Sequence, residues 1–241
     1  MTSAALTRRW TPEHVDGLTG QAVEQARHPR PPHHLASPWG EVDGRTDLRG
    51  FAFPSGFALA YLTLADLDLG GARGRVLLHE VDLTGCSFDG TRSTTQGALR
   101  RSFTACTFRG ARLPGVRLGG AFTDCDLDGA HLRGALTTGT TTFTRCRIGA
   151  DLTGAVLRDA RFVDCDFTGL TTSWQTTFER CTFVGGVPDV GDAQVRGATV
   201  DGARLPDRWR GEGEAGTAWD ALLDRYRATP DDDTLPLEPE A

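Results

Sequence analysis

Six cysteines are the residues of this chain with the clearest chemical potential, because a thiol can form disulfides, bind soft metals or act as a nucleophile. They stand at positions 86, 106, 125, 146, 165 and 181, so they recur about once every twenty residues until a shorter last interval. No Cys-x-x-Cys pair occurs in the sequence, which argues against a zinc site. The spacing therefore predicts an internal repeat rather than a metal centre, a disulfide framework or a reactive thiol.

Signatures of other enzyme and cofactor sites are missing from the sequence. It contains no Walker loop, no Rossmann glycine fingerprint and no His-Glu-x-x-His motif. His33 and His34 lie in a proline-rich segment, where we expect solvated side chains rather than metal ligands. We therefore expect a non-enzymatic protein with no catalytic residues, no metal and no cofactor.

A five-residue period runs inside the cysteine spacing. Cys106 begins CTFRG–ARLPG–VRLGG, Cys125 begins CDLDG–AHLRG, and Ala150 begins ADLTG–AVLRD. Each unit has a small residue first and a large apolar residue third, which suits a short extended step with both side chains inward. Four such steps make a coil of about twenty residues, and this length matches the cysteine spacing.

These A(D/N)LxG-like units resemble those of pentapeptide-repeat proteins over residues 46–207. The resemblance implies an all-β solenoid, namely a right-handed, four-sided parallel β-helix of about eight coils, with a length of roughly 40 Å at the usual strand spacing. We expect short helical caps at both ends. Residues 1–45 would form an N-terminal helix over about 12–27 and a Pro-rich linker or cap, and residues 208–241 a C-terminal amphipathic helix and an acidic disordered tail.

One coil per twenty residues places equivalent side chains above one another. We expect all six cysteines in one inward column, beside a large apolar column of Phe88, Phe108, Leu127, Ile148, Phe167 and Phe183. A further aromatic column would hold Phe103, Phe122, Phe143, Phe162 and Phe178. Charges that alternate beside the cysteines predict one surface ladder of Asp124, Arg145, Asp164 and Arg180 and another of Asp126, Arg147 and Asp166.

Candidate interaction residues lie in an arginine cluster and in segments rich in threonine. The cluster comprises Arg100, Arg101, Arg109, Arg112 and Arg117, and would either bind an acidic partner or be balanced by Asp89, Asp124, Asp126 and Asp128. Segments 92–101, 137–142 and 171–177 lose the five-residue frame, and we expect them above one another on one side of the rod. They would form a binding face or fill that side with β-branched residues, and their candidate contacts are Thr141, Trp174 and Gln175.

An amphipathic helix is predicted over residues 218–228. Its apolar face comprises Trp219, Leu222, Leu223 and Tyr226, which follow helical spacing. The helix would either cap its own rod or pair with a second copy to form a homodimer.

The distribution of charge separates the candidate functions. The formal net charge is −6, but residues 46–207 contain 18 acidic and 17 basic side chains. This balance argues against direct binding of nucleic acid. No apolar stretch is long enough to cross a membrane and no secretory signal is visible, so we expect a cytoplasmic protein.

We therefore expect a rod that binds a protein partner, whose identity the sequence does not give. The alternative is implied by the resemblance, because some pentapeptide-repeat proteins are acidic rods that imitate DNA. Such a rod would bind DNA gyrase or topoisomerase IV and protect it against quinolone-type poisons. The alternation of Asp and Arg beside the cysteines argues against the continuous acidic stripe that this role needs.

Overall fold

The computed structural model describes residues 3–28, 31–186 and 189–208. Two helices, α1 and α2, span Ser3–Arg8 and Pro12–Ala26. The second agrees with the helix expected over 12–27, and Thr11 caps it by accepting a hydrogen bond from the His14 N–H at 3.3 Å. The helix predicted over 218–228, with Trp219, Leu222, Leu223 and Tyr226, lies outside the described residues.

Short strands follow the helices. They are β1 (Glu41–Val42), β2 (Arg45–Asp47), β3 (Ala52–Phe53), β4 (Leu59–Ala60), β5 (Thr63–Ala65), β6 (Leu67–Asp68), β7 (Arg73–Gly74), β8 (Leu77–Thr84), β9 (Arg92–Ser93), β10 (Ala98–Thr104), β11 (Arg117–Thr123), β12 (Leu136–Thr144), β13 (Val156–Arg158), β14 (Ala160–Val163), β15 (Thr177–Glu179), β16 (Thr182–Val184), β17 (Gln194–Arg196), β18 (Thr199–Val200) and β19 (Ala203–Arg204).

The strands stack as a β-solenoid of about eight coils, which confirms the predicted fold class. Strands of neighbouring coils pair in parallel, and the longest series runs β4, β8, β10, β11, β12, β14, β16 and β18. The antiparallel pair β18–β19 ends this series, and the other antiparallel pair, β1–β2, belongs to a separate three-stranded sheet with β6. A strand inside the series therefore bonds the coil before it and the coil after it through its backbone groups.

Each coil has four sides, which we number by the outward residues that pair from coil to coil. The columns are Ser87, Thr107, Asp126, Arg147 and Asp166 on side 1; Arg73, Arg92, Arg112, His131, Asp151 and Thr171 on side 2; Ala98, Arg117, Leu136, Val156, Thr177 and Gln194 on side 3; and Ser102, Ala121, Thr142, Arg161 and Thr182 on side 4.

A stack of phenylalanine rings fills the solenoid behind side 4. The centroids of Phe103, Phe122, Phe143, Phe162 and Phe183 lie 4.8, 4.9, 5.1 and 5.2 Å apart in turn, with planes within 16° of parallel. Such aromatic pairs each add about 0.5–1.5 kcal/mol beyond the area that they bury.

The predicted positions of the last phenylalanine in each aromatic column, Phe178 and Phe183, are wrong. Phe178 does not continue the stack, because it pairs with Leu157 on side 3 and its ring lies 6.5 Å from that of Phe162 at 65°. Phe183, which we expected above Phe167, takes its place above Phe162.

Five of the six cysteines form the predicted inward column. Cys86, Cys106, Cys125, Cys146 and Cys165 precede the bridged residues of side 1 in successive coils, and all six thiols are free. Cys181 is not in this column, because the pairing of Phe162 with Phe183 places it on side 4, next to Ala160. The short interval between Cys165 and Cys181 covers three sides of the coil instead of four.

The corner between sides 3 and 4 absorbs differences in coil length. Between β11 and β12 the register holds at Leu118 and Thr137 and resumes at Gly120 and Thr141, so that Gly119 alone opposes residues 138–140. Because segment 137–142 covers this corner and segment 171–177 runs from side 2 to side 3, the prediction that the threonine-rich segments stack on one side is wrong.

Buried ion pairs join the N-terminal helices to the first coil. The Asp47 carboxylate is 6% exposed and accepts hydrogen bonds from Arg9 Nη1 and Arg49 Nη2, both at 2.9 Å. Burial alone would raise the pKa of Asp47, but these hydrogen bonds outweigh it and hold the pKa well below its usual range. The Trp10 ring packs edge-on against Trp39, with centroids 4.5 Å apart.

His33 is buried, so the expectation of a solvated side chain is wrong for this residue. The Thr63 N–H donates to its Nδ1 at 2.9 Å, and its Nε2 lies 3.0 Å from the carbonyl oxygen of His28. A ring protonated on Nε2 satisfies both contacts. His34 is exposed, as expected. Neither helix in the described part of the chain has the length and hydropathy needed to cross a membrane.

Candidate interaction surface

Aspartate–arginine pairs neutralise the corner between sides 4 and 1 and the face of side 1. Arg145 holds Asp124 through two hydrogen bonds of 2.7 and 2.8 Å, and these bonds lower the pKa of Asp124. Arg147 lies 3.8 Å from Asp166, as the second predicted ladder requires, whereas Asp126 stands in register with Arg147 but bonds Arg109. Opposite charges in register thus replace the acidic stripe that imitation of DNA would need.

The last rung of the first predicted ladder is wrong. Arg180 does not pair with Asp164; its guanidinium bonds Asp159 through two contacts of 2.7 Å and Glu179 through another of 2.7 Å. The reason is the short coil that also displaces Cys181: Arg180 stands at the corner between sides 3 and 4, whereas Asp164 follows side 4.

The predicted arginine cluster is divided among several corners and sides. Arg109 is balanced, because its side chain bonds Asp126 at 2.6 Å and its N–H donates to Asp89 at 2.8 Å. Arg101 lies 3.1 Å from Asp82. Arg112 and Arg117 are exposed on sides 2 and 3, and neither has a carboxylate within ion-pair distance among the described residues.

Arg100 and Arg101 line an open cavity of about 500 Å³ at the corner between sides 3 and 4. Its other walls are Glu80, Gly119, Gly120, Thr138 and Gly139. Arg100 Nη1 lies 3.5 Å from Nε2 of His79. The Nε of Arg100 is buried without a hydrogen-bond partner. With Glu80 in the wall and Asp82 on Arg101, this cavity has mixed charge.

The three candidate residues from the threonine-rich segments differ in exposure. Thr141 is fully buried, and its hydroxyl donates to the Leu118 carbonyl at 3.2 Å, so the prediction of a surface contact there is wrong. Trp174 is 48% exposed and Gln175 is exposed beside it, in the turn that leads to side 3. These two remain candidate contacts.

Side 2 carries a column of three arginines followed by a histidine. Arg73, Arg92, Arg112 and His131 pair in turn along it, and Arg75 and Arg133 lie two residues after members of the column. We call these six residues the basic side. The first carboxylate along the column is Asp151, which contacts Arg133 at 2.5 Å and His131 at 3.8 Å.

On the basic side, arginines of neighbouring strands lie directly opposite one another. Within the described residues, no carboxylate lies within ion-pair distance of Arg75, Arg92 or Arg112, although all three are exposed. Like charges in directly opposed positions destabilise a sheet, and the strands that carry them here are only about 4.8 Å apart, well inside the Debye length. Binding of an anionic partner would offset this cost.

A shallow cleft lies within the basic side. It has a volume of about 340 Å³ and is lined by Arg112, Pro114, His131 and Arg133. Two arginines, an imidazole and the apolar ring of Pro114 therefore meet at one place, where an acidic side chain and its apolar neighbour could bind together.

Sequence reasoning missed most of the basic side, although a signal was present. Arg73, Arg92, Arg112 and His131 each follow a Gly-Ala or Gly-Thr pair, and they recur once per coil. Aligning the units that follow the cysteine units would have brought these residues into one column.

Comparison with known proteins finds one family model and several solved structures that resemble this chain. The family model described as pentapeptide repeats matches residues 102–136 and 148–170 with 8 copies. No curated protein sequence matches the chain. Among solved structures, a trypsin-treated variant of QnrB1, a plasmid-mediated fluoroquinolone resistance protein, shares 18% identity over 73% of this chain and 95% of that one, with a TM-score of 0.40.

A second similar structure is HetL, a pentapeptide repeat protein involved in heterocyst differentiation regulation from the cyanobacterium Nostoc sp. strain PCC 7120. It shares 18% identity over 67% of this chain and 86% of its own, with a TM-score of 0.38.

Within the described residues, no group of three or more His, Cys, Asp or Glu side chains has the arrangement of a metal site.

Proposed function

Residues 102–136 and 148–170 belong to the pentapeptide-repeat family, and from this we propose that the chain is a non-enzymatic rod that binds another protein through its basic side. The observation that carries the proposal is Arg92 directly beside Arg112 in register, with no carboxylate within ion-pair distance of either among the described residues. By contrast, Arg145 and Arg180 on other parts of the rod are matched to carboxylates.

The stacked core supports this role because it fixes the outward residues on a rigid grid. The rings of Phe122, Phe143 and Phe162 are fully or almost fully buried and lie behind side 4. Parallel pairing at Arg92 and Arg112 then holds the spacing of the basic side. A rigid surface loses little conformational entropy when a partner binds.

The alternative of a DNA-mimicking protein that binds gyrase or topoisomerase IV is less well supported. It needs an acidic surface, whereas Asp124 and Asp126 are held by Arg145 and Arg109. On side 2, Arg73, Arg92 and Arg112 adjoin instead, whereas the two aspartates that adjoin near the N-terminal end of side 1, Asp47 and Asp68, share Arg49.

Quantitative capture from cells of the source organism tests the proposal. Full-length protein, Arg112→Glu and Arg161→Glu would be immobilised at equal density; Arg161 is also exposed but stands on side 4, so it is a matched control for the charge change. We expect a stoichiometric protein partner that Arg161→Glu retains and Arg112→Glu loses, with weaker capture at higher salt. Equal capture by all three would contradict the basic side as the contact. Gyrase or topoisomerase IV retained by all three would favour the alternative.

A further inference from the structure

We propose that the partner presents to the basic side an α-helix with one Asp or Glu per turn, lying along the solenoid axis. This inference rests on the proposed function and adds the shape and chemistry of the partner. It follows from the spacing of the charges, the cleft between them and the point where the positive column ends.

The spacing of the column favours a helix. The three intervals from Arg73 to His131 span about 14 Å at the usual distance between strands. Three turns of an α-helix span about 16 Å, so one carboxylate per turn stays within about 2 Å of its rung. Arginine side chains are long and flexible enough to close that difference.

Other anionic polymers match the column less well. In an extended peptide, side chains on one face recur every two residues, so three intervals span about 20 Å and end about 6 Å beyond His131. Phosphates along one strand of B-DNA advance about 3.4 Å per nucleotide along the axis, so three intervals cover only about 10 Å. A nucleic acid on side 2 would also approach Asp89 and Asp128, which are partly exposed at the adjoining corner.

The cleft supplies a place for the residues between the acids. Arg112, His131 and Arg133 surround it, and Pro114 adds an apolar wall. A carboxylate on one turn of the helix can reach Arg112 while a small apolar residue three or four positions away packs on Pro114. The site therefore fits a helix that is acidic on one stripe and apolar beside it.

The charge pattern also limits the length of the helix. Asp151 follows His131 in the same column and would repel a further carboxylate. In the other direction, the position before Arg73 in the column is Ala52, which carries no charge. The contact therefore covers four rungs, which about three to four helical turns would span.

Binding of designed peptides to the full-length protein tests the inference. The first peptide, of about 14 residues, is a lactam-stapled helix with Glu at i, i+4, i+7 and i+11, which form one stripe. The second has the same composition and staple but Glu distributed around the helix, and the third has the same acids in a proline-containing extended sequence. A single-stranded and a double-stranded oligonucleotide complete the set, and fluorescence anisotropy at low and physiological salt gives the affinities.

We expect the striped helix to bind about tenfold or more tightly than either of the other peptides or the oligonucleotides. Arg92→Glu and Arg112→Glu should each abolish this preference, and Arg161→Glu on side 4 should retain it. Equal affinity for the striped and distributed helices, or tighter binding of the extended peptide or an oligonucleotide, would overturn the inference. If capture from cells yields a partner that Arg112→Glu loses but no helix preference is found, the proposed function stands and this inference fails.

Discussion

Asp47 anchors the N-terminal segment to the solenoid. Its carboxylate is almost completely buried and accepts from both Arg9 and Arg49, while the Arg9 guanidinium lies 4.1 Å from the Trp39 ring centroid. An arginine that both bonds a buried carboxylate and stacks on an indole cannot be replaced by lysine without loss of geometry. The end of the solenoid thus depends on a charge cluster rather than on apolar burial alone.

We expect Asp47→Asn to destabilise the protein by about 2 kcal/mol at neutral pH, because charged hydrogen bonds are lost from a buried site. The pKa of Asp47 is lowered on folding, so its contribution is present above the unfolded value of about 4 and is lost as pH falls through the folded value. The difference between native protein and variant should therefore shrink below about pH 4. Urea unfolding followed by tryptophan fluorescence at neutral and acidic pH measures it.

Asp43→Asn is the matched control for that experiment, because Asp43 is exposed in the nearby turn and has no ion pair among the described residues. It should leave stability unchanged at both pH values. A stability gap for Asp47→Asn that stays constant with pH would show that the carboxylate does not act through its charge.

Phe143 occupies the centre of the aromatic stack, 4.9 Å from Phe122 and 5.1 Å from Phe162. We expect Phe143→Ala to cost about 3–5 kcal/mol, because the cavity lies between in-register coils that cannot close over it. The shift of the urea midpoint measures this cost. Thr142→Ser, which changes the outward neighbour, should stay within about 0.5 kcal/mol of the native protein, and a similar small cost for Phe143→Ala would argue against the stack as a source of stability.

The cysteines show what residue patterns predict well. In the repeat unit, a small residue stands two places before a large apolar one. This pattern alone predicts that the thiols of Cys86, Cys106, Cys125 and Cys146 are buried, and they are. Burial also raises the pKa of the Cys181 thiol to about 12, so it is unreactive at neutral pH although it lies on another side. Burial of a repeat position follows from its residue type, whichever side of the coil it occupies.

At the scale of elements, the side of the coil is what sequence reasoning could not assign. CTFVG at Cys181 matches CTFRG at Cys106, yet the two occupy sides 4 and 1. All four sides are built from the same small–polar–large unit, so a unit's side is known only by counting from its predecessor. The interval between Cys165 and Cys181, which is closer to three units than to four, was the signal of a side change.

A double-mutant cycle tests this register. Arg180→Ala combined with Asp159→Ala should show a measurable favourable coupling, because two hydrogen bonds of 2.7 Å join the side chains. Arg180→Ala combined with Asp164→Ala should show none. Free energies of unfolding from urea titrations provide both cycles, and coupling of Arg180 to Asp164 instead would restore the coil register predicted from the sequence.

At the scale of the whole molecule, a nearly neutral repeat region conceals an uneven distribution of charge. Residues 46–207 contain almost equal numbers of acids and bases, but the aspartates at 124, 126 and 166 stand with arginines near side 1 while Arg73, Arg92 and Arg112 are grouped on side 2. A sum over sequence cannot reveal this, since residues one coil apart in the chain become nearest neighbours in the sheet. The surface charge of such a rod therefore has to be described column by column, because the net charge of the sequence does not show it.

The variable corner between sides 3 and 4 makes the solenoid tolerant of insertion. Thr138, Gly139 and Thr140 are opposed by Gly119 alone, yet the rings of Phe122 and Phe143 stack as closely as their neighbours. The packing of the interior is thus unchanged by the two extra residues at this corner. An evolving gene, or an engineer grafting a foreign epitope, can lengthen the loop there and display the new peptide at a fixed height on the rod.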